Sequence, residues 1–538
     1  RWHDLEVIGL ISDGQLDMKI YYDQHQFRQE EIAVMMQSYH EALKTLIDHC
    51  VTVKVQVPTP SDFTYGGLSF QQLESLMEAY PVQDIYPLSP LQEGIYYHSI
   101  LEENPANYFE QISYSIKGNI RYEIVEESVN ELLKRHESLR SAFVYKGYPQ
   151  PLQVLLKERK VDFEVIELSE NDPEQLRAIK EADKARSFDL EKDTLFRIKV
   201  IALGGGDFEI IWSHHHIVMD GWCNTILTEE YFTIYDQLVA GQPVQLPRAP
   251  QYKDFVYWLQ ARRSAGQSHF WQHYFKAFGA LTGLPRINAY DQAASTVDYQ
   301  REWYHLDAER CSQLQQLAKA NNCTLNSVVH ALWAILLGKY NAGTDVAFGA
   351  VVSGRPSDLP GVEQIVGLFI NTIPVRVNYE DDWTFTQLLT HVQEQAIQCK
   401  PYHQDSLSGI AGMINRQEDL IDHIITYENY PIAKRTEELS EANDSDAISS
   451  LELQSVEIFE QTNYDFNIVV FPDNELIFRF DFNASVYRPY YIDKLRKDID
   501  MLATQFISEP KQTIKDMRLS KEKTDVAHDD ILARMMKG

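Results

Sequence analysis

Several kinds of signal are scarce in this chain of 538 residues. It has no run of about 18 apolar residues, so the sequence predicts no transmembrane helix. The five cysteines form no Cys-x-x-Cys pair, which argues against a thiolate metal site or a disulfide framework and predicts a reducing, cytoplasmic setting. No glycine-rich phosphate-binding loop occurs, so we expect no bound nucleotide.

Basic residues are also few. The chain has 49 Lys and Arg against 79 Asp and Glu, which gives a formal net charge of −30. Binding to phosphate backbones or anionic lipid needs clustered Lys and Arg. The composition therefore disfavours nucleic acid and membrane as principal partners.

Apolar residues are plentiful, at 44% of the chain, with 12% aromatic. Such a composition supports a folded protein, and the length predicts two or three domains or lobes. The sequence opens on Arg-Trp-His-Asp, with neither an initiator Met nor an apolar signal core. We therefore expect it to be a segment of a longer protein.

Residues 1–50 predict one hairpin and one helix. Strand-like segments at 5–10 and 16–22 flank a Ser-Asp-Gly turn. Apolar residues at helical spacing follow: Ile32, Met35, Met36, Tyr39, Leu43, Leu46 and Ile47. Because a hairpin and a helix do not make a stable domain alone, we expect their apolar faces to pack on something else.

The rest of the chain divides by composition. Residues 51–83 are interpreted as a linker, with a helix-start capping box at Ser69 and Gln72. We expect two α/β lobes at residues 84–265 and 266–520, and the start of another linker at residues 521–538. Within the lobes we predict a hairpin at 195–213, a helix capped by Thr324 and ending near Gly343, and a strand at 346–352. Residues 434–446 are polar and acidic and predict a surface loop.

The densest chemical signal is the segment 213–222, Ser-His-His-His-Ile-Val-Met-Asp-Gly-Trp, where a strand ends and a helix begins. Histidine titrates near neutral pH and can donate or accept a proton in a transition state. Strand alternation would place His214 and His216 on one face and His215 on the other. A catalytic role is thus one interpretation of this segment.

Three other interpretations remain open from the residues alone. A histidine here could be an ordinary hydrogen-bonded core residue. The cluster could bind a metal, although no third carboxylate or Cys ligand lies at a recognisable spacing nearby. Asp220 could simply cap the helix that follows it.

The motifs add a family resemblance. Residues 215–221 match the HHxxxDG motif of condensation domains, which chloramphenicol acetyltransferase-like acyltransferases and epimerization domains share. Further condensation-domain motifs occur in the family's order, at residues 86–94, 135–143, 252–258 (with Val256 in place of Ala), 366–376 and 403–405. Over residues 84–520 the chain resembles a condensation domain of a non-ribosomal peptide synthetase.

The resemblance implies an α/β fold of two chloramphenicol acetyltransferase-like lobes, arranged as a V-shaped pseudo-dimer around a central tunnel. Upstream (donor) and downstream (acceptor) peptidyl carrier proteins would dock at opposite mouths and insert 4′-phosphopantetheine arms. The domain itself would bind no cofactor and no metal. The implied reaction is amide-bond formation, by attack of the acceptor amine on the donor thioester, in the biosynthesis of antibiotics and other secondary metabolites.

The same resemblance assigns residues. His216 would be the catalytic histidine, within a motif that also contains His215, Asp220 and Gly221. Asp220 would be held by Arg355 or, as a second choice, Arg376, and Gly221 would leave room for a pantetheine arm. Residues expected to line the substrate tunnel are Trp222, Asn371, His403 and Gln404.

The flanking segments also resemble synthetase parts. Residues 1–50 and 59–63 resemble the tail and exit linker of an epimerization domain, and residues 513–517 resemble the lead into an adenylation domain. An epimerization domain upstream implies a D-configured donor and an L-configured acceptor.

Two rival functions fit the sequence less well. An epimerization domain typically carries Ser-Trp after the HHxxxDG motif, whereas this chain has Trp222-Cys223, and its motifs at 371–372 and 403–405 are of condensation type. A non-catalytic docking module would not require an intact His216, Asp220 and Gly221. Condensation is therefore the predicted function.

Overall fold

A computed structural model describes residues 3–52, 58–101, 108–168, 172–262, 267–279, 281–287, 298–416, 419–428, 451–460 and 462–520. The chain forms two compact units, residues 1–62 and 63–538. The predicted loop at 434–446 and the expected linker at 521–538 lie outside the described residues. In the part of the chain that is described, no helix is both long and apolar enough to cross a membrane.

The first unit contains an antiparallel hairpin and one long helix. Its elements are β1 (Leu5–Ser12), β2 (Gln15–Tyr22) and α1 (Gln29–Thr52). Asp13 and Gly14 both have positive φ, as a two-residue hairpin turn of type I′ requires. The predicted hairpin and helix are confirmed.

Much of this unit's apolar surface is exposed. Large side chains on both the hairpin and the helix are accessible, including Leu10, Ile11, Tyr39, Leu46 and Val51. Ile32 is the residue of α1 that is buried. Exposed apolar side chains in such number are typical of a surface that contacts another protein segment.

The second unit begins with α2 (Phe70–Ala79), inside the segment interpreted as a linker. Ser69 and Gln72 form the predicted capping box. Leu73 and Leu76 are buried in an apolar cluster with Val82 and Ile85. The compact fold of this unit therefore begins at Phe63, ahead of residue 84.

The first lobe of this unit contains a three-stranded sheet, most of a five-stranded sheet, and helices. Its strands are β3 (Val82–Pro87), β4 (Phe109–Gly118), β5 (Ser141–Val144), β6 (Leu152–Leu156), β7 (Asp162–Glu167), β8 (Phe196–Gly204) and β9 (Asp207–His215). Its helices are α3 (Pro90–Leu101), α4 (Tyr122–Arg135), α5 (Pro173–Ala185), α6 (Gly221–Val239) and α7 (Tyr252–Ala261). The predicted hairpin at 195–213 is confirmed as β8 and β9.

The second lobe is built on a six-stranded sheet. The strands of this sheet are β10 (Tyr299–Leu306), β11 (Asp345–Val352), β12 (Asn371–Asn378), β13 (Ile424–Tyr427), β15 (Phe466–Pro472) and β16 (Leu476–Asn483). The same part of the chain also contains β14 (Leu451–Glu460), which belongs to a different sheet. Its helices are α8 (Gln267–Tyr274), α9 (Ala308–Ala320), α10 (Leu325–Asn341), α11 (Phe385–Cys399), α12 (Leu407–Met413) and α13 (Pro489–Ser508). Thr324 caps α10 and Ala342 ends it with positive φ, which confirms that predicted helix.

Strand β14 joins the two lobes. By sequence it falls within residues 266–520, yet it pairs antiparallel with β4 of the first lobe. The five-stranded sheet therefore has the order β14-β4-β9-β8-β7, and the six-stranded sheet has the order β10-β16-β15-β13-β11-β12. One edge of the first lobe's sheet is thus supplied by the second lobe.

The loop from Val352 to Asn371 makes the second connection between the lobes. Gly354 has φ of +60°, and a Cβ atom there would lie 1.8 Å from the carbonyl oxygen of Phe369. Both the left-handed backbone and this close approach require glycine.

We therefore expect Gly354→Ala to lower the free energy of unfolding by about 2–4 kcal/mol, from backbone strain and overlap with Phe369. Gly94→Ala is the matched control, because Gly94 lies inside α3 and a methyl group added there would have no atom within 4 Å. That control should stabilise the protein by about 0.5–1 kcal/mol. Urea unfolding measures both, and equal midpoints would contradict the expectation.

Candidate active site

The site is built on a row of side chains across the five-stranded sheet. Glu110, on β4, is the cross-strand partner of His214 on β9 and of Glu460 on β14. Residues directly opposite one another project from the same face of a sheet. His216, two residues beyond His214, continues on that face.

Glu110 holds both of these histidines. Its Oε2 lies 2.9 Å from His214 Nε2, and its Oε1 lies 2.9 Å from His216 Nδ1. Nδ1 of His216 is also 2.9 Å from the carbonyl oxygen of Met219. Since a carbonyl only accepts, Nδ1 carries a hydrogen, and Nε2 is the ring nitrogen left for a substrate in the adjoining cavity.

The charges of this pair are set by burial and by each other. Burial alone would lower the pKa of His216, but the negative charge and hydrogen bond of Glu110 outweigh it and raise the pKa to about 10. Burial would raise the pKa of Glu110, but the two histidines hold it well below its usual range. At neutral pH the pair is therefore an imidazolium and a carboxylate.

His215 has a different environment. Its Nδ1 accepts the backbone N–H of Ile217 at 3.2 Å, and its Nε2 lies 3.4 Å from Ser99 Oγ. Burial, with the charge of His216, lowers its pKa to about 3. His215 is thus a neutral residue that fixes the loop, on the opposite side of the strand from His214 and His216.

Asp220 links the motif loop to the second lobe. Its Oδ2 accepts the backbone N–H groups of Phe369 and Ile370 at 2.9 and 3.1 Å, and its Oδ1 lies 3.2 Å from Arg355 Nη2. Asp220 is at the N-cap position of α6, but its side chain makes no capping hydrogen bond. The capping interpretation of Asp220 is therefore wrong.

Arg355 and Arg376 lie in different places. Arg355 donates to the carbonyl oxygens of Val362 and Ile365 as well as to Asp220, so it also shapes the connecting loop. Arg376 is on β12 and forms a two-pronged ion pair with Asp345. The structure brings Arg355, and not Arg376, to Asp220.

A cavity of about 250 Å³ lies beside His216. Its lining includes Glu110, Gly221, Asn371, Glu428 and Glu460. A Cβ atom on Gly221 would have no atom within 4 Å, so a side chain there would project into open space. Gly221 therefore keeps the floor of the cavity clear.

Of the residues predicted to line the tunnel, Asn371 lines this central cavity. Asn371 Nδ2 donates to the carbonyl oxygens of His403 and Asp405, both at 2.8 Å. Burial lowers the pKa of His403 to about 4. Gln404 lines a neighbouring cavity, and Trp222 Nε1 donates to the carbonyl oxygen of Glu363.

Two further cavities adjoin the central one. A cavity of about 840 Å³ shares Pro90 and Ser406 with it. On another side, a cavity of about 260 Å³ shares Ile424, Ile458 and Glu460 with it. The cavity beside His216 therefore has two neighbouring cavities that share parts of its wall.

Sequence reasoning missed three acidic residues of this site: Glu110, Glu428 and Glu460. They are far from the motif in sequence, and only the pairing of β14 with β4 brings Glu460 near. One ligand atom each from Glu110, His216 and Glu460 lie within 4.8 Å of one another, so the carboxylates that a metal site would need are present after all. The hydrogen bonds of His216 Nδ1 nevertheless account for that nitrogen without a metal.

A family model for the condensation domain matches residues 82–527. The chain belongs to the condensation domain family. It is a condensation domain of the non-ribosomal peptide synthetase type, a peptide-bond-forming acyltransferase family, as the motifs predicted.

The curated relatives are long proteins. Bacitracin synthase 1 from Bacillus licheniformis is 32% identical over 529 residues, which are 96% of this chain and 10% of that protein. Tyrocidine synthase 2 from Brevibacillus parabrevis is 36% identical over 431 residues, 78% of this chain and 12% of that protein. The chain therefore spans about a tenth of the length of these relatives.

Solved structures show the same fold. The first condensation domain of the calcium-dependent antibiotic synthetase, in complex with a substrate analogue, matches with a TM-score of 0.64 at 18% identity. The match covers 82% of this chain and 100% of that one. The predicted α/β fold of two chloramphenicol acetyltransferase-like lobes is confirmed.

The buried ion pair of Asp220 and Arg355 in the condensation domain leads to a stability prediction. Asp220→Ala should lower the free energy of unfolding by about 3–5 kcal/mol, because it leaves the Arg355 charge and two backbone N–H groups without their partner. Asp358→Ala removes an exposed ion pair with Arg262 and should cost at most about 1 kcal/mol. Thermal melting compares them, and an Asp220→Ala protein as stable as the control would contradict the expected role of Asp220.

Proposed function

We propose that this domain forms an amide bond between two carrier-bound substrates. The α-amine of the acceptor attacks the thioester carbonyl of the donor, and the donor carrier leaves with a free thiol. The observation that carries this proposal is the Glu110–His216 pair beside a cavity that has two neighbouring cavities. Two substrates that arrive from separate carriers need such an arrangement.

His216 would act as a hydrogen-bond donor to the developing oxyanion. With its pKa at about 10, the ring is charged at neutral pH and Nε2–H is available to the substrate oxygen. Preorganised donors of this kind contribute about 10²–10³-fold in rate. A charged imidazole does not accept a proton, so this role is favoured over general-base catalysis by His216.

The carriers would present their substrates on 4′-phosphopantetheine arms, through the two adjoining cavities. The open space at Gly221 supports passage of such an arm, because it lies on the cavity wall next to Asp220. No further cofactor is required by the proposed reaction. Peptidyl carrier proteins and neighbouring epimerization and adenylation domains are the proposed partners.

A cytoplasmic location is also proposed. All five cysteines are free thiols in the structure, and three of them, Cys223, Cys311 and Cys399, are buried. Such a pattern fits a reducing compartment.

A non-catalytic role is the second candidate. The X-domain from teicoplanin biosynthesis, solved in complex with OxyB, matches this chain with a TM-score of 0.67 at 19% identity, so the fold is shared with a module in a protein–protein complex. The match covers 81% of this chain and 96% of that one. A charged, hydrogen-bonded histidine next to an open cavity supports the catalytic function, because docking requires neither.

The first unit supports the proposal that a domain of the same fold precedes the condensation domain. Its hairpin and helix correspond residue by residue to β15, β16 and α13: Phe27-Arg28 matches Tyr487-Arg488, and Ile32 matches Ile492. In the condensation domain, α13 is buried through Leu495, Ile499 and Phe506. The corresponding Met35, Tyr39 and Leu46 of α1 are exposed.

We therefore propose that residues 1–50 are the last hairpin and helix of a preceding domain of this fold, of epimerization type, and that residues 59–63 belong to its exit linker. An epimerization domain delivers both epimers, so the next domain must select one. The proposed choice is a D-configured donor and an L-configured acceptor.

His216→Ala should abolish amide formation, with a loss of at least about 10²–10³-fold. The fold should survive, because Glu110 keeps its contact with His214. Product mass spectrometry with defined carrier-loaded donor and acceptor measures turnover, and thermal melting checks the fold. His305→Ala, on the exposed part of β10, is the control.

The same assay yields a pH dependence. Activity requires protonated His216, whose folded-state pKa is raised, so turnover should fall as the pH rises through about 10. Near-wild-type turnover of His216→Ala would contradict the catalytic assignment.

The stereochemical proposal has its own test. The upstream carrier is loaded chemically with either a D- or an L-terminated donor, which bypasses epimerization. A difference of about 2–3 kcal/mol would give roughly 30- to 150-fold faster transfer of the D-donor. Equal rates, or faster transfer of the L-donor, would refute the stereochemistry and leave the condensation reaction standing.

A further inference from the structure

Two carboxylates face each other inside the central cavity. Glu460 on β14 is the direct cross-strand partner of Glu110 on β4. Like charges at such positions destabilise a sheet. Glu110 has a nitrogen of each of two histidines at 2.9 Å, so within the described part of the chain Glu460 is the member of the pair whose charge is less well compensated.

The surroundings of Glu460 attract a proton or a cation. One oxygen of Glu460 lies within 4.8 Å of ligand atoms of both Glu110 and His216. Glu428, just after β13, adds a third carboxylate to the cavity wall, and Arg479 on β16 lies nearby. Desolvation, followed by the charge of Glu110, raises the pKa of Glu460, although its side chain stays exposed to solvent within the cavity.

Glu460 is also accessible to a substrate. It lines the central cavity beside His216 and the adjoining cavity of about 260 Å³. The acceptor carries a primary α-ammonium group, and α-amino groups have pKa values of about 7.7–8.0. Such a group is mostly charged at neutral pH and must lose a proton before it can attack.

We propose, on the basis of the proposed condensation reaction, that Glu460 binds the α-ammonium group of the acceptor and takes its proton. The site is thus divided between two residues of opposite function. Glu460 prepares the nucleophile, and His216 receives the oxyanion. Environments that separate the acidities of two neighbouring groups are typical of acid–base pairs in enzymes.

The protons balance. The ammonium gives its first proton to Glu460, which later releases it to solvent. The neutral amine then forms the C–N bond, and the carbonyl π electrons become the oxyanion beside His216. The tetrahedral intermediate collapses as the C–S bond breaks, and a second N–H proton leaves with the thiolate as the thiol.

The test compares two acceptors on the full chain, with the donor loaded on its carrier. One acceptor is an ordinary aminoacyl-carrier. The other is its aminooxy analogue, whose nitrogen is uncharged at neutral pH and can attack without first losing a proton. Glu460→Gln should lower kcat/KM for the amino acceptor by about 10²-fold or more, and change that for the aminooxy acceptor by less than about threefold.

Two variants serve as checks. Glu460→Asp keeps a carboxylate and should restore part of the lost rate. Glu452→Gln changes an exposed glutamate on the same strand, opposite Lys117, and should leave both rates unchanged. Thermal melting of all three establishes that the fold is intact.

The outcomes separate the two proposals. A wild-type domain that forms no amide would refute the condensation proposal itself. If the wild type is active, equal losses on both acceptors would assign Glu460 a structural role, and no loss on either would remove it from the mechanism. Either result overturns the inference about Glu460.

Discussion

The carboxylate of Asp220 is the interaction on which the site depends. It occupies the turn between β9 and α6, where His216 leaves the sheet, and it accepts hydrogen bonds from two backbone N–H groups of the other lobe. Arg355 compensates its charge and also holds the loop that supplies those groups. The position of the motif loop and the approach of the two lobes are therefore fixed by one buried, fully bonded anion.

A second constraint follows from the register of three strands. Because β9, β4 and β14 are in fixed register, His214, Glu110 and Glu460 form one row, and His216 lies next to it. The row and the neighbouring His216 surround a small cavity with two acidic side chains and an imidazolium. The buried position of Glu110 strengthens its attraction to His216, so the pKa of His216 is raised and that of Glu110 is lowered.

Much of this architecture could be predicted from the chain, because many of the interactions responsible connect residues close in sequence. The first hairpin follows from its Asp-Gly turn, the helix after Thr324 from its cap and apolar spacing, and the opposite faces of His215 and His216 from strand alternation. Two features depend on distant contacts instead. The folding of α2 into the domain requires the sheet against which it packs, and the choice of Arg355 over Arg376 depends on the path of the loop at 353–370.

The chemistry of the site likewise depends partly on local sequence and partly on distant contacts. The HHxxxDG segment was sufficient to locate His216, because strand, loop and helix follow one another along the chain. The charge state of His216 and the presence of Glu460 required the completed fold. Strand β14 begins far from β4 in sequence, and only its pairing in the finished sheet brings the charges of Glu110, His216 and Glu460 within a few ångströms of one another.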